Sequence, residues 1–179
     1  MRFLLFLVMA DYPQPVTLIK HRGFFNYSTL MQAIRKWYID EDFDVLNLPS
    51  YKQKFPTPTG VEHEMKLHAE KNVTGYVRFH IDIFMRVYNM RDIEIIQDGK
   101  KLKLQDGQVQ IEVIPKLELD WQKRFSGVGP WKKFLTALDE FYRNYIIKYK
   151  IVDYWEDMVL LKSGQLARVI KEALGQEVM

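Results

Sequence analysis

The stretch YVRFHIDIFMRVY, residues 76–88, sets His80 and Asp82 two residues apart between Arg78 and Arg86. An imidazole beside a carboxylate is raw material for acid–base chemistry and for metal ligation. A second source precedes it: VEHEMKLHAE, residues 61–70, carries His63 and His68 among Glu62, Glu64 and Glu70. If the KNVTG turn between them pairs Glu70 with Tyr76, then His68 faces Arg78, Lys66 faces His80, Glu64 faces Asp82 and Glu62 faces Phe84. Cross-strand pairs of that kind contribute about 0.2–1 kcal/mol each. Glu64, Asp82, His80 and His68 offer the carboxylates and imidazoles a metal takes, but an open sheet face excludes no water and no nucleophile stands in register. The expectation is a solvated, charge-laced face, with no metal, cofactor or catalytic residue assigned. His63 differs, because it falls on the apolar side of its strand. It is read either as a core histidine with a satisfied hydrogen bond or as a polar group lining a cavity.

A second candidate is DWQKRFSGVGPWKKF, residues 120–134. Lys132 and Lys133 fall in the first turn of a predicted helix, where cations oppose the helix dipole. An anion held at that helix N-terminus, ringed by Lys123, Arg124, Ser126, Lys132 and Lys133, accounts for the arrangement, and Trp121 and Trp131 offer rings on which a base stacks. An ordinary glycine-bearing connection with exposed lysines is the leading reading, and the anion or RNA contact is the alternative. No dinucleotide, Walker, zinc-protease, serine-hydrolase or kinase motif is present.

The elements that position these residues follow from periodicity. Val61, Met65, Leu67 and Ala69 alternate with polar residues, as do Val77, Phe79, Ile81, Ile83, Met85 and Val87, and then Val109, Ile111, Val113, Leu117, Leu119 and Trp121. Period 2 with one polar face means half-buried antiparallel strands. Asp-Gly at 98–99 and at 106–107 each predicts a hairpin turn with a short KLKL strand between. Pro115 on the apolar face argues for an edge or a bulge. VTLIKH is a short strand ended by Gly23, and EDFDVLNLPSYKQKF carries another. NYSTLMQAIRKWYI is a helix capped by Asn26 or Ser28. WKKFLTALDEFYRNYIIKY is an amphipathic helix, and Tyr154–Leu174 is a further helical stretch that Ser163-Gly164 kinks or divides. The fold class is α+β: an antiparallel sheet of about five to seven strands, with one early helix and a C-terminal helical region covering one face. Residues 1–15 form an apolar N-terminal segment and a Pro-containing linker, and residues 16–179 form a single domain.

The bulk numbers bound the function. The chain has 179 residues, no cysteine and a formal net charge of +3. Disulfides and thiolate sites are excluded, and the charge is modest for a nucleic-acid protein. Aromatic residues are 14% of the chain, which calls for a bulky core, a ligand cavity or a partner surface. The apolar run Phe3–Ala10 is too short to span a bilayer, which needs about 20 residues. It is read as an element packed on the body, a contact with another chain, or a mis-assigned start or truncated export or membrane signal, and its lack of alternation predicts burial on both faces. A cytoplasmic oligomer or subunit is expected.

This element order resembles the helix-grip architecture of the START and polyketide-cyclase-like superfamily, over Val16–Tyr149 and in topology alone. The resemblance implies a cavity between a curved sheet and a long helix. LELDWQKRF and KKFLTALDEFYRNYIIKYKI also look like stretches of small uncharacterised archaeal proteins. The leading expectation is a non-enzymatic module that binds a protein partner or an apolar ligand, with Trp37, His63, Phe79, Met85, Trp121, Phe134 and Phe141 as candidate lining. The alternatives are an RNA- or ribosome-associated factor using residues 121–134, and a cyclase-type enzyme for which His63 supplies the polar group.

Overall fold

Strand alternation dominates the architecture. In the computed structural model the described residues are 11–53, 60–97, 100–122, 134, 137, 138, 141 and 152–176. The order is β1 (Asp11–Pro13), β2 (Thr17–Phe25), α1 (Tyr27–Asp40), β3 (Asp44–Gln53), β4 (Val61–Asn72), β5 (Val77–Gln97), β6 (Lys100–Leu119) and a C-terminal helix, α2 (Val152–Ala173). All pairings are antiparallel. β6, β5, β4 and β3 lie side by side, and β1 and β2 share the far side of β6 in succession. The protein is therefore α+β, with six strands at five positions, an early helix and a C-terminal helix packed on the sheet.

The linker read at Asp11–Pro15 begins as a strand, since Asp11–Pro13 pairs with Lys116–Glu118. β2 pairs with Gln105–Val113, so the edge is interrupted opposite Ile114 and Pro115. That break explains a proline in a central strand. The Pro115 carbonyl accepts from Gln14 N at 3.2 Å, so its backbone faces the interrupted edge, where no ladder donor is required of it.

Two expectations about turns are corrected. Gly23 does not end β2; the strand runs through it at φ 127°. Asp106-Gly107 is not a hairpin turn either, but lies within β6. The hairpin closes at Gln97↔Lys100, and the paired strands carry a bulge between Tyr88 and Arg91. Gly107 serves that bulge: a Cβ there would stand 3.0 Å from the Tyr88 carbonyl oxygen and 3.3 Å from Met90 Cα. Gly60 serves it from just before β4, at φ 134°, where a Cβ would meet the Asn89 carbonyl carbon at 2.5 Å. A local pattern reads Asp-Gly as a turn, whereas the close approach of a neighbouring strand requires the same glycine for another reason.

The odd-numbered residues of β5 and β6 build the core. Ile81, Ile111, Val113 and Leu117 are completely buried. α1 covers them with Leu30, Ile34, Trp37 and Tyr38, a helical stripe. Asn26 caps this helix, its side-chain oxygen accepting from Thr29 N at 3.0 Å. α2 adds Val159, Leu166, Ile170 and Leu174. It passes unbroken through Ser163 and Gly164; the buried Ser163 hydroxyl donates to the Leu160 carbonyl, which satisfies it within the helix. Lys162 of α2 reaches Glu41 at the end of α1 at 2.5 Å, tying the two helices together. No helix among the described residues is long and apolar enough to cross a membrane.

Candidate functional site

The turn between β4 and β5 decides what the polar face contains. Val73 N and Thr74 N both donate to the Val77 carbonyl, and the Thr74 hydroxyl oxygen accepts from Tyr76 N and Val77 N. The loop is thereby consumed by Val73–Tyr76, and the ladder resumes at Asn72↔Arg78. Glu70 consequently faces His80, not Tyr76, and Glu64 faces Arg86, not Asp82. The slip of four residues from the expected register is even, so every side chain keeps its face while every cross-strand partner changes. The like-charge pair disappears and opposite charges meet.

A dense network results. His80 Nε2 lies 2.8 Å from Glu118 Oε2, across the β5–β6 ladder. His68 Nδ1 lies 2.5 Å from Asp82 Oδ1. The two imidazoles stack, with centroids 5.4 Å apart and planes 22° from parallel. Arg78 donates to Asn72 Oδ1 at 2.7 Å and to Glu70 Oε2 at 3.2 Å. Trp121 closes this end. Its indole N–H donates to the Thr74 carbonyl at 2.9 Å, and the Arg78 guanidinium lies 4.1 Å from its ring centroid. Asp120, at φ 52°, turns the chain after β6, so Trp121 joins Arg78 on the polar side instead of continuing the apolar row of β6.

This face is not simply solvated, as its composition suggested. His80 is only 7% exposed, and the side chains of Glu118, Glu70 and Arg78 are 12%, 17% and 19% exposed. Carboxylates accept only, so the hydrogen in each His–carboxylate bond sits on the imidazole. That leaves His80 Nδ1 as a lone pair, and this atom is buried with no hydrogen-bond partner. Ligand-type atoms of His68, Glu70 and His80 lie within 4.8 Å of one another.

His63 anchors a second, looser group on the opposite face. Tyr51 Oη lies 2.6 Å from its Nδ1, and the ring of Tyr27 is 6.4 Å away, centroid to centroid. Burial pushes the His63 pKa down, opposed in part by the charge of Asp92. Burial likewise raises the Tyr27 hydroxyl, with Tyr51 adding to it. Gln105 joins the pieces: its side-chain oxygen accepts from Tyr27 N at 3.0 Å and its amide donates to Asp92 at 2.9 Å. In the tautomer where Tyr51 donates to Nδ1, Nε2 carries the ring hydrogen, and it is buried without a partner. His63 is thus satisfied on one nitrogen only. Sequence reasoning missed Tyr27, Tyr51 and Asp92, which come from three other elements. Their aromatic and acidic types gave no signal; only His63, out of phase with its strand, did.

The remaining candidates disperse. Trp37, Phe79 and Met85 lie in the core, 8%, 4% and 1% exposed. Trp37 stacks on Phe43 at 5.7 Å, and Phe79 meets Trp155 edge-on at 5.9 Å. Phe134 and Phe141 lie in helical conformation and are 58% and 53% exposed, so they do not join this core. Lys123, Arg124, Ser126, Trp131, Lys132 and Lys133, and the apolar run Phe3–Ala10, lie outside the described residues. A shallow hollow of about 250 Å³ is lined by Arg22, Asn89, Arg91, Asp106, Gly107 and Gln108, at the bulge and not between sheet and helices.

Fold and site together define an α+β protein whose antiparallel sheet carries a buried histidine–carboxylate network on its polar face. No protein-family model matches the chain, and no curated protein is significantly similar to it.

Proposed function

We propose that the chain is a non-enzymatic binding module that docks another protein chain along β2, as a subunit of a larger assembly. One observation carries this reading. β2 pairs with β6 on one side only among the described residues, and its outer face presents Leu18 and Phe24 at 48% and 62% exposure, continued by Val16 at 52%. Large apolar side chains on a sheet edge are an association liability unless something covers them. Lys20 and Arg22 lie between Leu18 and Phe24 on the same face, so the partner surface that fits has apolar groups flanking carboxylates. Gln176 donates to the Lys20 carbonyl at 2.8 Å, which blunts part of the edge backbone and leaves side-chain contact as the main adhesive.

The apolar-ligand reading draws less support, because the Trp37, Phe79 and Met85 side chains fill a continuous core and the hollow at the bulge is below the roughly 300 Å³ common for ligand pockets. A cytoplasmic location accords with a chain that has no cysteine.

Native mass spectrometry of the chain from its own cells tests the proposal. The expected result is a retained protein partner, a second copy or a different chain, that is lost when Leu18 and Phe24 are both replaced by Glu. A bare monomer at all concentrations overturns the proposal, as does an assembly that the double variant leaves intact. A monomer carrying a small apolar adduct replaces it with the ligand reading.

A further inference from the structure

We propose that His68, Glu70 and His80 form a binding site for a divalent transition-metal ion of the zinc class. The placement follows from the sheet. His68 and Glu70 are two apart on β4 and so share its polar face, and His80 stands opposite Glu70 on β5. Ligand-type atoms of all three fall within 4.8 Å of one another. Two imidazoles and a carboxylate are a donor set that zinc and its neighbours take, leaving further positions for water or substrate.

The surroundings prepare these ligands. A metal-bound histidine donates its other ring N–H to a carboxylate or carbonyl, which fixes the tautomer and raises the basicity of the ligating nitrogen. Both histidines have that arrangement here. Glu118 accepts from His80 Nε2 at 2.8 Å, and Asp82 accepts from His68 Nδ1 at 2.5 Å. The freed nitrogens are His80 Nδ1 and His68 Nε2. His80 Nδ1 is the second, independent observation: it is a buried atom, on a residue 7% exposed, with no hydrogen-bond partner, and it lies 4.0 Å from Glu70 Oε2. Two ligands on a tetrahedral zinc sit about 3.4 Å apart at ordinary bond lengths, so a bound ion draws the group slightly inward.

Charge also favours a cation. Asp44, Glu70, Asp82 and Glu118 share this part of the polar face with Lys66, Arg78 and Lys116, which leaves one negative charge in excess when both rings are neutral. Arg78 donates to that same Glu70 Oε2 at 3.2 Å, so it competes with the ion for the lone pairs of this oxygen and tempers the affinity. The rival occupant is a proton, which would make His80 an imidazolium between Glu118 and Glu70.

Titration of the chelator-stripped full chain with Zn²⁺ by calorimetry, repeated with Co²⁺ and read from its visible absorption, separates the two. The expected result is one ion per chain at micromolar affinity or tighter. Replacing His80 or His68 by Ala weakens it at least about 100-fold, and Glu118→Gln, which keeps all three ligands, weakens it about 10–100-fold. His63→Ala, on the other face, leaves it unchanged. Failure to take up Zn²⁺ at about 100 µM overturns the site, and so does uptake that His68→Ala and His80→Ala leave intact. If His80→Ala loses its circular-dichroism spectrum, His68→Ala and Glu70→Gln decide the matter: loss of binding in both upholds the site, and retention in both overturns it.

Discussion

Two histidine groups sit on opposite faces of one sheet, and each buries one ring nitrogen without a partner. They differ in what that nitrogen offers. On the polar face, Glu118 takes the His80 hydrogen and leaves a lone pair inside a network of buried charges. On the apolar face, Tyr51 bonds to His63 Nδ1, and in the tautomer where its hydroxyl donates, the remaining ring nitrogen carries a hydrogen of its own. The first is an acceptor open to a cation, and the second, in that tautomer, is a donor without an acceptor. The partner of the bonded nitrogen, not the histidine, sets the chemistry of the free one.

The depth of the two groups differs as well, and that gives the largest expected effect. Glu118→Ala removes the acceptor of a histidine that is 7% exposed and takes a carboxylate from beside Arg78. Stability in urea should fall by about 2–3 kcal/mol, because buried polar groups lose their partner without gaining water. A loss below about 0.5 kcal/mol would show that the network is wet and that the two faces are alike.

Tyr51→Phe makes the matching change on the other face. Tyr51 is 50% exposed, so water replaces its hydroxyl at little cost. The expected loss is about 0.5–1 kcal/mol, the net worth of one ordinary hydrogen bond. A loss equal to that of Glu118→Ala would break the comparison.

The smallest effect is in pH dependence. Burial lowers the His63 pKa below its unfolded value, so the unfolded chain binds the proton more readily. The sign follows: the contribution of His63 is fully present above the ordinary histidine range and is lost as the pH falls through the folded pKa. His63→Gln should therefore flatten the loss of stability between about pH 7 and pH 5, measured by urea unfolding at each pH. An unchanged slope would show that His63 is solvated in the folded chain.

Tyr38 shows how closely the two faces communicate. Its hydroxyl donates to the Ile81 carbonyl at 2.9 Å from the apolar side, between His80 and Asp82, which point the other way. Burial, with a smaller contribution from the charge of Asp82, holds that hydroxyl protonated far above the usual phenol range. The donor is buried and permanent, so it pins the strand from which both polar residues of the opening motif project.

Much of this was legible in the residue order. Alternation is a local property, so the buried rows Met65–Leu67–Ala69, Val77 through Val87 and Val109 through Leu119 could be assigned to one face without knowing what covers them. The Asn26 cap and the Leu30–Ile34–Trp37–Tyr38 stripe are equally local. His63 stood out because it broke its own strand's period. What the sequence could not supply was register. Period 2 is blind to an even slip, so pairing Glu70 with Tyr76 or with His80 leaves every side chain on the same face and every residue equally amphipathic. The choice was made by backbone hydrogen bonds in the Val73–Tyr76 turn, and with it the partners Glu118 for His80, Asp82 for His68 and Arg86 for Glu64. The residue types fixed which groups line the polar face. Only the tertiary pairing decided which of them touch, because contact between strands depends on distances that no single strand encodes.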